Sequence, residues 1–336
     1  MNPYLCRMVK IGNIELPDFP LLLAPMEDVS DPPFRKLCKM HGADLMYSEF
    51  ISSEGLIRDA IKSRKKLDIF DYERPVGIQI FGGDEEAMAM SARIVETVEP
   101  DLVDINFGCP VKKVVCKGAG AGVLKDIDLM VRLTKAVVSS THLPVTVKTR
   151  LGWDNDSINI DEVAERLQDV GIKALTIHAR TRAQMYKGEA DWEHISRIKN
   201  NPNIEIPIFG NGDVDSPEKA LEYKNKYNCD GIMIGRGAIG YPWIFNEIKH
   251  FFETGEILPE PTIAERLEAV KNHALWSVEW KGERPGIVEM RQHYSNYFRG
   301  IPHFKEFKTK FLQALTLEQI DEVIEETKHF YQENVI

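Results

Sequence analysis

No stretch of this chain approaches the roughly 18 consecutive apolar residues that a membrane-crossing helix needs, so no membrane segment is expected. Metal-type spacings are missing too. The cysteines at 6, 38, 109, 116 and 229 are odd in number and scattered, with no C-x-x-C pair and no neighbouring histidines. That pattern argues against a structural metal and against a disulfide framework, and reduced thiols are expected. The first twenty residues lack the continuous apolar run and small-residue cleavage site of a secretory signal, so a cytoplasmic location is expected. Also absent is a G-x-G-x-x-G turn after the first strand-like run, which a doubly wound dinucleotide fold would carry. Base is in short supply: 42 Lys and Arg stand against 52 Asp and Glu, a net charge of −10. Such a chain repels a polyanion at long range, so any nucleic-acid partner must be met by a locally basic surface. Internal repeats and low-complexity tracts are missing as well.

What is present is an ordinary globular composition, 43% hydrophobic and 28% charged over 336 residues. That length suits one barrel of roughly 250 residues and a smaller appendage. Short apolar runs at 21–25, 43–48, 75–81, 102–105, 144–148, 174–178, 207–209 and 231–234 alternate with helical stretches. Several runs are apolar nearly throughout, as in parallel strands buried on both faces. Residues 84–98 read as a helix burying Ala87, Met90, Ile94 and Val98. Asp31 or Ser30 before Pro32-Pro33, and Ser216 before Pro217, are helix-start signals. Eight strand-helix units predict an α/β TIM (β/α)8 barrel over 1–252. Gly255, Pro259 and Pro261 then mark a linker, and 262–336 reads as a small all-α domain with helices at 263–280, 287–299, 303–314 and 317–332.

In a parallel barrel, chemistry belongs at the carboxyl ends of the strands. At the end of the fourth run stand Asn106, Gly108 and Cys109, where Gly108 permits close backbone approach and Pro110 forbids strand continuation. Cys109 is either a thiol presented into the barrel mouth or a buried small hydrophobe. After the last two strands come Gly210-Asn211-Gly212-Asp213 and Gly235-Arg236-Gly237. Two such loops, one with an arginine, point to a phosphate site. A flavin mononucleotide suits it. Gln79 could bond the N3 edge of the ring, and Lys148 could balance charge near N1 and O2 of a reduced flavin. Otherwise Gln79 bonds barrel backbone and Lys148 sits in an ion pair.

Taken together, LAPMEDVSDPPFR, QIFG, DINFGCPVKKV, VTVKTR, IHARTRAQMYKGEADW, GNGDV and GRGAIGYPWIF resemble, in order, the motifs of bacterial tRNA-dihydrouridine synthases over about residues 20–245. The resemblance implies that Pro25, Met26, Glu27, Gln79, Lys148, His178, Asn211, Gly212, Asp213, Gly235 and Arg236 contact FMN. It implies that Cys109 is the catalytic acid. Glu27 departs from the small residues common at its position, and Cys116 adds a second thiol nearby. The implied reaction reduces the C5–C6 bond of a uridine in tRNA, with NADPH or NADH as reductant. Hydride goes from flavin N5 to C6 and a proton from Cys109 to C5. Expected substrate contacts are Asn106 and Arg180 at the barrel mouth, and Arg291 and Arg299 in the helical domain. From Arg284 to Lys310 that domain carries six basic residues against Glu289 and Glu306, interleaved with Tyr294, Tyr297, Phe298 and Phe304. Those aromatics read mostly as core. The alternative is a flavin barrel acting on a free pyrimidine, similar to dihydroorotate dehydrogenases, which leaves the basic helical domain unexplained. Which uridine is reduced and which nicotinamide is preferred are not legible in the sequence. Nor is the oligomeric state, for which a monomer is the working expectation.

Overall fold

The structure, a computed structural model, describes residues 8–333; of the five cysteines, Cys6 lies outside the described residues. An antiparallel hairpin comes first, β1 (Val9–Ile11) and β2 (Ile14–Leu16), turning at Gly12, whose φ is +61°. There follow β3 (Leu21–Leu23), β4 (Met46–Tyr47), β5 (Ile51–Ser52), β6 (Val76–Phe81), β7 (Leu102–Asn106), β8 (Val145–Arg150), β9 (Ala174–His178), β10 (Ile208–Asn211) and β11 (Gly231–Ile234). Their order is β3-β11-β10-β9-β8-β7-β6-β4, with β5 beside β6. Every pair is parallel. A parallel bridge from Leu22 to Leu45, with the Leu23 N–H donating to the Leu45 carbonyl at 3.0 Å, joins the two ends of the sheet into a barrel. The expected TIM-barrel class is therefore found.

The helices form for the reasons the sequence supplies. Asp31 caps Pro32–Met40 by accepting from the Phe34 N–H at 3.0 Å, and Ser216 caps Pro217–Tyr227 with proline in the first turn. Helix Glu85–Glu96 differs from its reading: it buries Ala87, Met88, Ser91, Ala92 and Val95, whereas Met90 is exposed and Ile94 is only partly covered. The small residues Ala87, Ser91 and Ala92 let this face dock closely, which a search for large apolar residues alone does not find. β10 runs to Asn211, beyond the expected end at 209, and takes in Gly210. The Trp192 ring packs against that glycine. An added Cβ would fall 1.9 Å from Cζ3 of Trp192.

Period-two alternation fills the barrel interior in tiers. The base holds Leu22, Leu45, Leu102, Ala174 and Phe209, closed from below by Val9, Ile11 and Leu16 of the hairpin. Above it lie the polar side chains of Gln79, Asp104, Thr146 and Thr176, all at most 2% exposed. Asn106, Lys148 and His178, two residues further along their strands, form the top tier with Asn211.

The last barrel helix, Ile244–Thr254, ends at Gly255 in the left-handed conformation. Beyond the segment 255–261 the described residues form five helices, where four were expected: Ile263–Lys281, Glu283–Glu289, Arg291–Tyr297, Lys305–Gln313 and Leu317–Glu333. Their core is separate from the barrel core and holds Tyr294, Tyr297, Phe298, Phe304 and Phe311, so the interleaved aromatics are packing residues. The first of these helices lies along Pro32–Met40. Phe34 packs against the rings of His273 and His293, which also touch each other, and Lys281 Nζ reaches Asp31 at 2.7 Å. Asp31 stands at the carboxyl end of the barrel, so this contact brings the helical region to the rim of its mouth.

Candidate active site

Asn106 ends β7 by folding its side chain over the next turn. Its Oδ1 accepts from the N–H groups of Gly108 at 2.9 Å and Cys109 at 2.8 Å. The turn holds Cys109 in the wall of a cavity of about 570 Å3 at the barrel mouth, with the residue 7% exposed. Gly108 is not the close approach expected of it, since an added Cβ would meet nothing nearer than 3.6 Å. That role belongs to Gly120, with φ +54°, where a Cβ would lie 3.0 Å from the Cys109 carbonyl oxygen and 3.2 Å from its Cβ. Burial raises the Cys109 thiol above its ordinary range, against smaller lowering effects from the Val111 N–H and Arg150. The thiol is protonated at neutral pH. Cys116 is exposed at the end of the short helix Lys112–Val115 and does not line the cavity.

Across the cavity, Lys148 Nζ donates to Asn211 Oδ1 at 3.0 Å, and Asn211 Nδ2 donates to the Met233 carbonyl at 2.8 Å. Lys148 makes no ion pair among the described residues. Burial, reinforced by the nearby Arg150 charge, brings its ammonium down to about 7. His178 is held neutral, well below the usual range, first by burial and then by Arg150 and Lys148. Gly212 has φ +128°, and an added Cβ there would meet Ala190 at 2.9 Å, so that turn requires glycine. Asp213 receives Arg180 at 2.6 Å on one oxygen and Arg236 at 3.1 Å on the other.

The cavity thus gathers most of the predicted residues. Pro25, Met26 and Glu27 line one side, with Glu27 paired to Lys66 at 2.5 Å. Asn211, Gly212, Asp213, Gly235 and Arg236 line another. Asn106, Cys109, Lys148 and His178 close the floor and wall, and Arg299 reaches the rim. Gln79, Arg180 and Arg291 stand outside the lining. Gln79 lies beneath Asn106, accepting its Nδ2 at 2.8 Å and donating to Asp104 at 2.5 Å. Arg180, 1% exposed, bonds the carbonyls of Lys187 and Gly188 and so straps the loop after β9. Arg291 has a buried Nε without a hydrogen-bond partner.

Sequence reasoning missed Arg150 and Tyr186. Arg150 donates to the Gly108 carbonyl at 2.6 Å and the Met185 carbonyl at 2.8 Å, tying the Cys109 turn to the loop after β9. Its signal was its place two residues beyond Lys148 on the same strand face. Tyr186, on the cavity wall, lies 5.5 Å from the Arg150 guanidinium and 5.2 Å from that of Arg236. The lining sets Lys148, Arg150, Arg236 and Arg299 against the carboxylates of Glu27, Asp213 and Asp215; Arg150 and Arg299 form no ion pair among the described residues and leave their charge available to an anion.

This architecture and site define a TIM-barrel enzyme with arginines and a single thiol in the walls of its mouth. By shape the chain is similar to morphinone reductase in complex with tetrahydroNAD (TM-score 0.52, 12% identity, 79% of this chain and 94% of that one). It is also similar to histamine dehydrogenase from Rhizobium sp. 4-9 (TM-score 0.56, 12% identity, 81% and 50%). The chain spans about half the length of the latter, and at such identity these likenesses bear on fold alone. Sequence relatives go further. The chain is 39% identical to the probable tRNA-dihydrouridine synthase of Rickettsia conorii over 302 residues, 90% of each chain. To tRNA-dihydrouridine synthase B of Pseudomonas aeruginosa it is 40% identical over 304 residues, 90% of this chain and 91% of that one. Residues 22–334 match the dihydrouridine synthase family as a whole, and the chain belongs to that family of flavin-dependent oxidoreductases.

Proposed function

We propose that this protein reduces the C5–C6 double bond of particular uridines in cytoplasmic tRNA to dihydrouridine, with FMN as resident cofactor and NADPH or NADH as reductant. The observation that carries the reading is the protonated Cys109 thiol in the wall of a cavity that also presents Lys148, Arg150 and Arg236. A flavin fits the residues present. The cavity falls within the roughly 300–1,000 Å3 of small-ligand sites, and its glycine turns at Gly212 and Gly235 beside Arg236 suit a phosphate. Asn211, Lys148 and His178 would face the ring system, Pro25, Met26 and Glu27 would flank it, and Gln79 would act from behind Asn106. When bound, the flavin supplies hydride from N5 to C6 of the uracil. The uracil C4 carbonyl makes C6 electrophilic and spreads the arriving charge over C5 and O4. Cys109 then gives its proton to C5. Lys148, poised near neutrality, takes up a proton when negative charge appears beside it.

To reach the cavity the uridine must leave its stack, at a cost of a few kcal/mol that other tRNA contacts offset. The helical region 262–336 is the proposed source of those contacts. Arg299, exposed at the rim, is placed to meet a phosphate. Arg299→Ala is expected to weaken tRNA binding several-fold and to lower the slope of log K against log salt by about one. Anisotropy titrations at several salt concentrations measure this; an unchanged slope removes Arg299 from the interface. Arg236→Ala should weaken FMN binding by about ten- to a hundredfold, the range for losing a charge-assisted bond. Flavin absorbance after gel filtration reads it directly.

The function itself is tested by incubating purified protein with unmodified tRNA and NADPH or NADH, then digesting and weighing the nucleosides. A uridine product heavier by two hydrogens supports the reading. Reduction of free uracil or orotate with none of tRNA supports the dihydroorotate-dehydrogenase-like alternative.

A further inference from the structure

Asp104 is a carboxylic acid inside the barrel, 1% exposed, below the cavity floor and out of reach of substrate. Burying a carboxylate this deeply is costly unless its oxygens are bonded. Here both are: Oδ1 accepts from Thr146 Oγ1 at 2.5 Å, and Oδ2 accepts from Gln79 Nε2 at 2.5 Å. The network continues upward. Asn106 Nδ2 donates to Gln79 Oε1 at 2.8 Å, and Asn106 Oδ1 accepts from the Gly108 and Cys109 N–H groups.

We infer that Asp104 is a positioning residue that sets the direction of the hydrogen bonds running through Gln79 and Asn106 to the Cys109 turn. An amide side chain can present either end, and Gln79 and Asn106 each have two ways to sit. An ionised carboxylate only accepts, so Gln79 must turn its NH2 down to Asp104 and its oxygen up to Asn106. Asn106 must then turn its NH2 down and its oxygen towards the two N–H groups. Were the chain reversed, Asn106 would face those groups with its own NH2, donor against donor, and the turn would lose its anchor. Burial raises the Asp104 carboxyl to about 6, lessened by the bonds from Gln79 and Thr146, so it remains ionised at neutral pH. The consequence for catalysis rests on Cys109 being the proton donor; the hydrogen-bond direction does not.

Residue-resolved amide exchange on the flavin-loaded full chain tests this without an activity assay. Asp104→Asn can donate as well as accept and should speed exchange at Gly108 and Cys109 by about tenfold, the loss of one hydrogen bond. Phe107, whose N–H is bonded to the Lys148 carbonyl at 2.8 Å, should stay protected. Adding Gln79→Glu puts the acceptor-only group one step up the chain. It should return both amides to within about twofold of the parent, since the carboxylate introduced there accepts from both neighbouring amide side chains. Unchanged exchange in Asp104→Asn overturns the inference. So does deprotection that spreads to Phe107, or deprotection that Gln79→Glu does not reverse, since loss of packing gives both. Should Asp104→Asn not fold, the double variant Asp104→Asn with Gln79→Glu carries the test: it should fold and keep both amides within about twofold of the parent. Failure of the double variant to fold, or deprotection of the two amides in it, also overturns the inference. A failure here leaves the tRNA reading standing, because that reading is judged on nucleoside products.

Discussion

Cys109→Ala is expected to keep its flavin and still oxidise NADPH, while dihydrouridine formation falls by at least about a hundredfold, the scale of losing a general acid. Cys116→Ala should stay close to the parent. The difference is one of placement. Cys109 is anchored by Asn106, backed by Gly120 and open to the cavity, whereas Cys116 caps a short surface helix beside Lys112 and Lys113. Exposure makes Cys116 the easier target for alkylation, so labelling alone would mislead. Proton transfer needs the donor within reach of C5, and only Cys109 stands in the cavity wall. Its raised pKa adds a second readout. A thiol held above its ordinary range keeps its proton as pH rises, so the alkaline limb of the tRNA reaction should fall above the roughly 8.5 of a free cysteine. Loss of activity in Cys116→Ala with retention in Cys109→Ala would reverse the assignment.

The largest effect on stability is expected at Arg35. Its guanidinium, 1% exposed, meets both oxygens of Glu73, which is fully buried, and also bonds the carbonyls of Ser30 and Asp68 at 2.9 Å. These bonds pin helix Pro32–Met40 to the segment leading into β6. Arg35→Met fills much of the volume but leaves the Glu73 charge without its partner. A cost of about 3–5 kcal/mol is expected, typical of breaking a buried pair from one side. Urea unfolding with an unchanged slope and a lowered midpoint measures it. Arg35→Met with Glu73→Gln should recover a large part of the loss, and no recovery would mean that packing dominates.

The barrel was legible because its strands are buried on both faces and read as apolar runs, with capping residues marking where helices begin. The hairpin β1–β2 was not, since three-residue strands give too little alternation to register. Its turn, Gly12-Asn13, was the available signal. Residues at strand ends were legible because position and chemistry coincide there, as for Cys109, Lys148 and Asn211. Second-layer roles were hidden. Asp104 in V-D-I-N reads as part of a strand, and only the fold brings it to Gln79 and Thr146, 25 and 42 residues away. Arg180 looked like a substrate contact because it follows a strand, yet its donors are taken by the loop beyond. In the helical region the tyrosines and phenylalanines turned inward, leaving Arg299 at the cavity rim.

Dihydrouridine mapping in tRNA from cells that lack this gene tests the account most directly. It predicts that at least one position loses dihydrouridine, and that the parent gene restores it where the Cys109→Ala gene does not. An unchanged modification map, or full restoration by Cys109→Ala, would contradict it.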